Sequence, residues 1–173
     1  MKINKTIVFC VETKGHPINI DRAYIEDIID KYYLTNARIS IKFICLDGKY
    51  NFNSTRVVKE IKEYKRLLKN NVEIVHCLDK DDFHVKKEAE NFGAECQKYC
   101  ENNGYELIWF VKNIEHVLHN KIVSKTNKRR ALKSFTSKNK FNEINYSKLL
   151  VENFRSNEQY FIKLNKHFEK KNR

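Results

Sequence analysis

The sequence is poor in the residues that interrupt or cross-link a chain. Only one proline and four glycines occur in 173 residues, and this scarcity argues against a sandwich built from many tight turns. The five cysteines are an odd number and include no Cys-x-x-Cys pair. We therefore expect free thiols in a reducing cytoplasm rather than a disulfide framework.

Long apolar runs are also missing. No run approaches the roughly 20 residues needed to span a bilayer. The first residues, Met1 to Thr6, lead into a short apolar run without a small-residue cleavage site, so we expect no signal peptide and no membrane partner. Hydrophobic residues still make up 41% of the chain and aromatic residues 12%, which is enough for a folded core.

Acidic residues are scarce toward the end of the chain. Residues 121–173 hold 15 Lys and Arg against 4 Asp and Glu, whereas residues 1–120 hold 19 against 18, so +11 of the net +12 lies in the last part. This concentrated positive charge favours nucleic-acid contact over the alternative, a solvated flank without a partner. The candidate nucleic-acid-binding residues are Lys121, Lys125, Lys128, Arg129, Arg130 and Lys133.

What the sequence does contain is an alternation of strand-like and helix-like segments. Apolar runs at 3–11, 37–46, 72–78 and 105–111 predict four strands, and His76 in the third is interpreted as a buried histidine with satisfied hydrogen bonds. Periodic segments predict helices that begin near Asn19 or Asp21, after a Ser54 cap, and at Phe83, with further helices at 114–122 and 144–168. The prediction is a mainly parallel α/β domain over 1–120 and a basic helical extension over 121–173 packed on it.

Acidic residues follow the ends of two predicted strands. Glu12 ends the first strand, and the third runs into Asp79, Asp81 and Asp82. The carboxyl ends of parallel strands share one edge of a sheet, so these side chains would meet there if the two strands are neighbours. Close carboxylates repel each other unless a cation joins them, and oxygen ligands suit Mg²⁺ or Mn²⁺. The alternative is a solvated acidic turn that caps the next helix.

The order and spacing of these residues resemble the Toprim domain, which topoisomerases, primases, OLD-family nucleases and RloB-like proteins of bacterial phage defence share. The resemblance covers about residues 3–112, and the segments IVHCLDKDDF and YELIWFVKNIEHVLHN look most like the RloB-type arrangement. It implies that Glu12, Asp79 and Asp81 hold Mg²⁺, with a general acid–base role for Glu12. It also implies that Glu115 and His119 are further site residues.

The resemblance implies a Mg²⁺-dependent nuclease that cleaves RNA, tRNA included, or DNA, as an effector of antiphage defence. A larger defence complex or a homo-oligomer is expected with it. Lys14, His16 and Lys112 are candidates for stabilising charge on a phosphate, or else solvated loop side chains. Two other functions stay open: a nucleic-acid-binding module with a degenerate acidic site, and a receiver-like domain phosphorylated on Asp79.

The uneven charge leads to a first prediction. Replacing Lys128, Arg129 and Arg130 together by alanine should flatten the salt dependence of polyanion binding, because each lost phosphate contact removes about 0.7–0.9 from the slope of log K against log salt. We expect the slope to fall by about two, measured by fluorescence anisotropy with labelled tRNA across a range of KCl concentrations. Equal slopes for the variant and the wild type would place the nucleic-acid surface elsewhere.

Overall fold

The alternating segments form a parallel sheet. In chain order the elements are β1 (Lys5–Val11), α1 (Ile20–Tyr32), β2 (Tyr33–Leu34), β3 (Ile39–Cys45), α2 (Thr55–Leu68), β4 (Val72–Asp79), α3 (Lys87–Asn103), β5 (Glu106–Phe110) and β6 (Glu169–Lys170). The computed structural model describes residues 5–12, 20–34, 39–69, 71–79, 87–110, 123–128, 130, 131, 133, 169 and 170. Four parallel strands lie in the order β3-β1-β4-β5. The predicted α/β class with a four-stranded parallel sheet is confirmed.

β1 lies in the middle of the sheet because its side chains are apolar on both faces. Ile7–Val11 are fully buried, between β3 on one side and β4 on the other. On one face, Val8 joins a core cluster with side chains of α2 and α3. On the other, Phe9 stacks on Phe43 with 5.6 Å between ring centroids, and Arg22 of α1 lies 5.1 Å from the Phe43 ring. Helices therefore cover both faces.

The start and the end of α2 follow from its local sequence. The Ser54 hydroxyl accepts a hydrogen bond from the Val57 N–H at 3.5 Å, so the predicted cap is confirmed. Val57 and Ile61 face the core, and the helix stops at Lys69, whose φ of 47° is left-handed.

Within the described ranges, no helix is both long enough and apolar enough to cross a membrane.

Some features differ from the prediction or escaped it. α1 begins at Ile20, so Asp21 lies inside the first turn and its assignment as the cap is wrong; Asn19 lies outside the described residues. Tyr33 and Leu34 form a short antiparallel pair with Lys170 and Glu169, which no apolar pattern announces because each strand has two residues. The helices predicted at 114–122 and 144–168 lie outside the described residues.

The cysteines have no cross-links. All five are free thiols, and all but Cys45 are buried, which agrees with the prediction from their number and spacing. Burial raises the pKa of the Cys10 thiol, so this group stays protonated and chemically inert.

His76 is buried without the hydrogen bonds expected of it. The side chain is fully buried in β4, and neither ring nitrogen has a hydrogen-bond partner among the described residues. Its neighbours are the rings of Tyr105, stacked at 5.9 Å, and Tyr99, edge-on at 6.0 Å. Burial lowers the pKa of His76 to about 4, because the imidazolium would lose its hydration. The interpretation of His76 as satisfied was therefore wrong.

This histidine should make stability depend on pH. Between pH 6.5 and about 4 the unfolded chain binds a proton at His76 and the folded chain does not, so the free energy of unfolding falls as the pH falls through this window. The pKa difference corresponds to about 3 kcal/mol. His76→Phe, which keeps an aromatic ring between the two tyrosines, should reduce the pH dependence by that amount. Urea denaturation from pH 7 to pH 4 measures it; parallel curves for the variant and the wild type would contradict it.

Candidate functional site

The two predicted acidic strand ends lie next to each other. β1 and β4 pair in parallel with Val11 opposite Cys77, which puts Glu12 level with Leu78 and one residue short of Asp79. The Glu12 carboxylate reaches across the gap, and its Oε2 accepts a hydrogen bond from the Asp79 backbone N–H at 3.4 Å. Both residues are half-buried. The predicted site requires that the first and third predicted strands are neighbours. These strands are β1 and β4, and they are paired.

The strand order makes this edge a natural binding position. From β1 the chain passes through α1 to β3 on one side, and from β3 it returns through α2 to β4 on the other side. In doubly wound sheets, such a reversal opens a crevice outside the carboxyl ends of the two inner strands, and ligands bind there. Glu12 and Asp79 stand at the two sides of this crevice.

The end of β3 closes one side of the same edge. The Leu46 N–H donates to the Val11 carbonyl at 2.8 Å, and the Gly48 N–H donates to the Glu12 carbonyl at 3.0 Å. Gly48 has a φ of 118°, a conformation that side chains rarely adopt, while its position has room for a Cβ. The backbone around Glu12 is therefore held on both sides, by β3 and by β4.

Asp47 follows the end of β3 at this edge, and its carboxylate lies near an arginine. Its Oδ2 lies 3.7 Å from Nη2 of Arg56, and the same nitrogen donates to the Cys45 carbonyl at 2.6 Å. The other terminal nitrogen of Arg56 pairs with Glu60 at 2.7 Å. Arg56 thus ties the first turn of α2 to the end of β3 and reduces the negative charge that Asp47 adds to the edge.

Two buried charged residues near this edge were not singled out from the sequence. Asp21, 5% exposed, lies in the first turn of α1, and Lys49, 9% exposed, lies in the 3₁₀ turn directly after Gly48. Both take part in polar or ring contacts. A lysine in a turn-rich loop gives no sequence signal for burial, and Asp21 was predicted only as a helix cap.

Several predicted site residues lie outside the described residues. These are Lys14, His16, Asp81, Asp82, Lys112, Glu115 and His119. In the part of the chain that the structure describes, no group of three His, Cys, Asp or Glu side chains is placed to hold a metal ion. That part supplies two half-buried acidic residues, Glu12 and Asp79, joined through the Asp79 backbone N–H. Carboxylate oxygens are the donor type that Mg²⁺ and Mn²⁺ prefer.

The predicted nucleic-acid-binding residues are described in part. Lys125 opens a 3₁₀ turn, Lys125–Asn127, and positions 128, 130, 131 and 133 have helical backbone. Lys128 is half-buried, whereas Arg130 and Lys133 are exposed; Lys121 and Arg129 lie outside the described residues. Val123, just before the turn, is buried.

Comparison with known proteins adds no relative. No family model, no curated protein and no solved structure matches the chain. The Toprim resemblance therefore rests on this chain's own residues.

A cation held between Glu12 and Asp79 should stabilise the fold. A ligand at 100 times its Kd adds about 2.7 kcal/mol when it binds only the folded chain, which is roughly 5–10 °C in Tm for a domain of this size. We expect millimolar Mn²⁺ to raise the Tm of the wild type and to leave that of Asp79→Asn unchanged.

The matched control is Glu101→Gln. Glu101 is an exposed carboxylate near the end of α3, just before the start of β5 and so at the opposite edge of the sheet. This variant should keep the full response to Mn²⁺. Equal responses in differential scanning fluorimetry for Asp79→Asn and Glu101→Gln would show that no site depends on Asp79.

Proposed function

We propose that the chain is a Mg²⁺- or Mn²⁺-dependent Toprim nuclease that cleaves phosphodiester bonds of RNA, tRNA included, or of DNA. The contact between the Glu12 carboxylate and the Asp79 backbone carries the proposal. The Toprim pattern requires a glutamate at the end of one strand beside the Asp-x-Asp end of another, and the pairing of β1 with β4 fits that requirement. A role in antiphage defence, in a larger complex or a homo-oligomer, follows from the resemblance alone.

In this proposal the aspartates hold the metal. Asp79 closes a strand whose preceding residues, Ile74–Leu78, are buried, so its backbone is fixed by the sheet. Asp81 follows two residues later and completes the Asp-x-Asp pair. Together the two aspartates would hold a divalent metal ion, which would polarise a phosphoryl oxygen and relieve charge on the leaving oxygen.

Glu12 acts as the base in this proposal. It takes a proton from the water that attacks phosphorus, a task that requires the carboxylate to be held within hydrogen-bond reach of that water. The Asp79 N–H fixes one oxygen of the carboxylate, and the Gly48 N–H holds the Glu12 backbone from the other side. These two contacts limit the positions that the carboxylate can take. A carboxylate held in this way is a better base than that of a flexible surface glutamate.

Charge substitutions at these three residues test the enzyme hypothesis. Asp79→Asn, Asp81→Asn and Glu12→Gln keep side-chain size but remove the charge that a hard cation or a proton acceptor needs. Each should lower the rate of cleavage by about 100-fold or more, measured with labelled tRNA, single-stranded RNA and plasmid DNA in Mg²⁺ and in Mn²⁺.

Binding separates this hypothesis from a non-catalytic one. The three variants should bind nucleic acid at least as well as the wild type, since removing negative charge favours the approach of a polyanion. Glu101→Gln, at the opposite edge, should cleave normally. If the wild type binds all three substrates and cuts none, the chain is a binding module. If Asp79→Asn cuts as fast as the wild type, the metal assignment fails.

A further inference from the structure

A line of basic side chains follows the exposed side of α2. Lys59, Lys62 and Arg66 are three and four residues apart and therefore share one side of the helix; we call them the α2 basic stripe. All three are exposed. The sequence hides this surface because residues 1–120 as a whole are nearly neutral, with 19 basic against 18 acidic residues.

The acidic side chains of α2 form their ion pairs with arginines rather than with the two lysines of the stripe. Glu60 pairs with Arg56, and Glu63 pairs with Arg66, both at 2.7 Å. Lys59 lies near enough to Glu63 to contribute to the lowering of its pKa, after the larger effect of Arg66. Neither Lys59 nor Lys62 has an ion pair among the described residues.

Lys65, the remaining lysine of α2, points elsewhere. Its Nζ lies 4.4 Å from the centroid of the Tyr105 ring and 3.4 Å from the Tyr105 hydroxyl, and partial burial lowers its pKa. It therefore belongs to the contact between α2 and the segment before β5, not to the stripe.

The stripe borders a groove that a ligand can enter. The groove is open to solvent, with a volume of about 520 Å³. Beside the stripe it is lined by Asn53, Thr55, Val58 and Glu63, and the Glu63 carboxylate is paired with Arg66. Lys59 and Lys62 supply ammonium groups, and Asn53 and Thr55 supply neutral hydrogen-bonding groups. Phosphate oxygens are acceptors for all of these, and such contacts with the backbone need no particular base.

The first turn of α2, just before the stripe, lies close to the acidic edge of the sheet. Arg56, one turn before the stripe, donates to the Cys45 carbonyl, and Cys45 pairs with Val11, the residue before Glu12. From Lys59 to Arg66 the helix axis rises about 10 Å, the length of a few phosphates of one strand.

We propose that the α2 basic stripe is a second nucleic-acid-binding surface, which holds the phosphate backbone of the substrate and directs it toward the edge with Glu12 and Asp79. That the bound nucleic acid is a substrate rests on the proposed nuclease function, whereas binding at this surface does not depend on it. This surface is separate in sequence from the basic residues beyond position 120.

A double substitution with a matched control tests the surface. Lys59→Ala with Lys62→Ala removes two exposed charges of the stripe, and Lys42→Ala with Lys98→Ala removes two exposed charges of β3 and α3. Both pairs are introduced into the Asp79→Asn chain, and binding of labelled tRNA is measured without divalent metal between about 50 and 200 mM KCl. The slope of log K against log salt should fall by about 1.5 for the stripe pair and stay unchanged for the control pair.

Charge-preserving substitutions distinguish lost contacts from lost structure. Lys59→Arg with Lys62→Arg should retain the slope of the parent chain, because arginine also binds phosphate. Equal slopes for the alanine pair and the control pair would overturn the proposal, even if the wild type cleaves RNA. A reduced slope for the alanine pair alone would support it, even if the wild type cleaves nothing, because binding is measured in a chain without Asp79.

Discussion

The burial of β1 between two parallel partners is the constraint on which the candidate site depends. Ile7–Val11 are apolar on both sides, so both faces of the strand are buried. Both of its edges are hydrogen-bonded, one to β3 and the other to β4. The polar residue that follows, Glu12, is thereby held where three strands end, with backbone bonds to β3 and a side-chain bond to β4. Without the pairing of β1 with β4, Glu12 and Asp79 would lie apart.

Electrostatics divides this molecule into a small acidic edge and larger basic surfaces. Glu12 and Asp79 repel an approaching phosphate unless a cation lies between them, while the α2 basic stripe and the basic residues beyond position 120 attract a polyanion over distances near the Debye length. The attraction of a polyanion acts over a longer range than the binding of a metal ion at the acidic edge, so the two can be measured separately. Arg56 moderates the edge itself, because it pairs with Asp47 and with Glu60.

Local patterns predicted the elements better than they predicted burial of polar groups. Ser54 was recognised as a cap because a cap needs only the next three residues, and the apolar run before Asp79 was recognised as a strand because its period is local. The lack of hydrogen-bond partners at the His76 ring was missed, since it depends on the rings of Tyr99 and Tyr105, which later segments bring against it. The burial of Lys49 was not predicted. The pairing of Tyr33 with Lys170 had no local signal at all.

The sequence by itself determined the α/β class, the order of the strands along the chain and the acidic residues at two strand ends, because periodicity and strand-terminal residues are properties of short segments. Tertiary structure alone decided that β1 lies beside β4, that the Glu12 carboxylate bonds to Asp79, and that α2 turns Lys59 and Lys62 outward along a groove. Which strands become neighbours in a sheet depends on how all strands and helices bury their apolar faces together. No single segment of the sequence determines that arrangement.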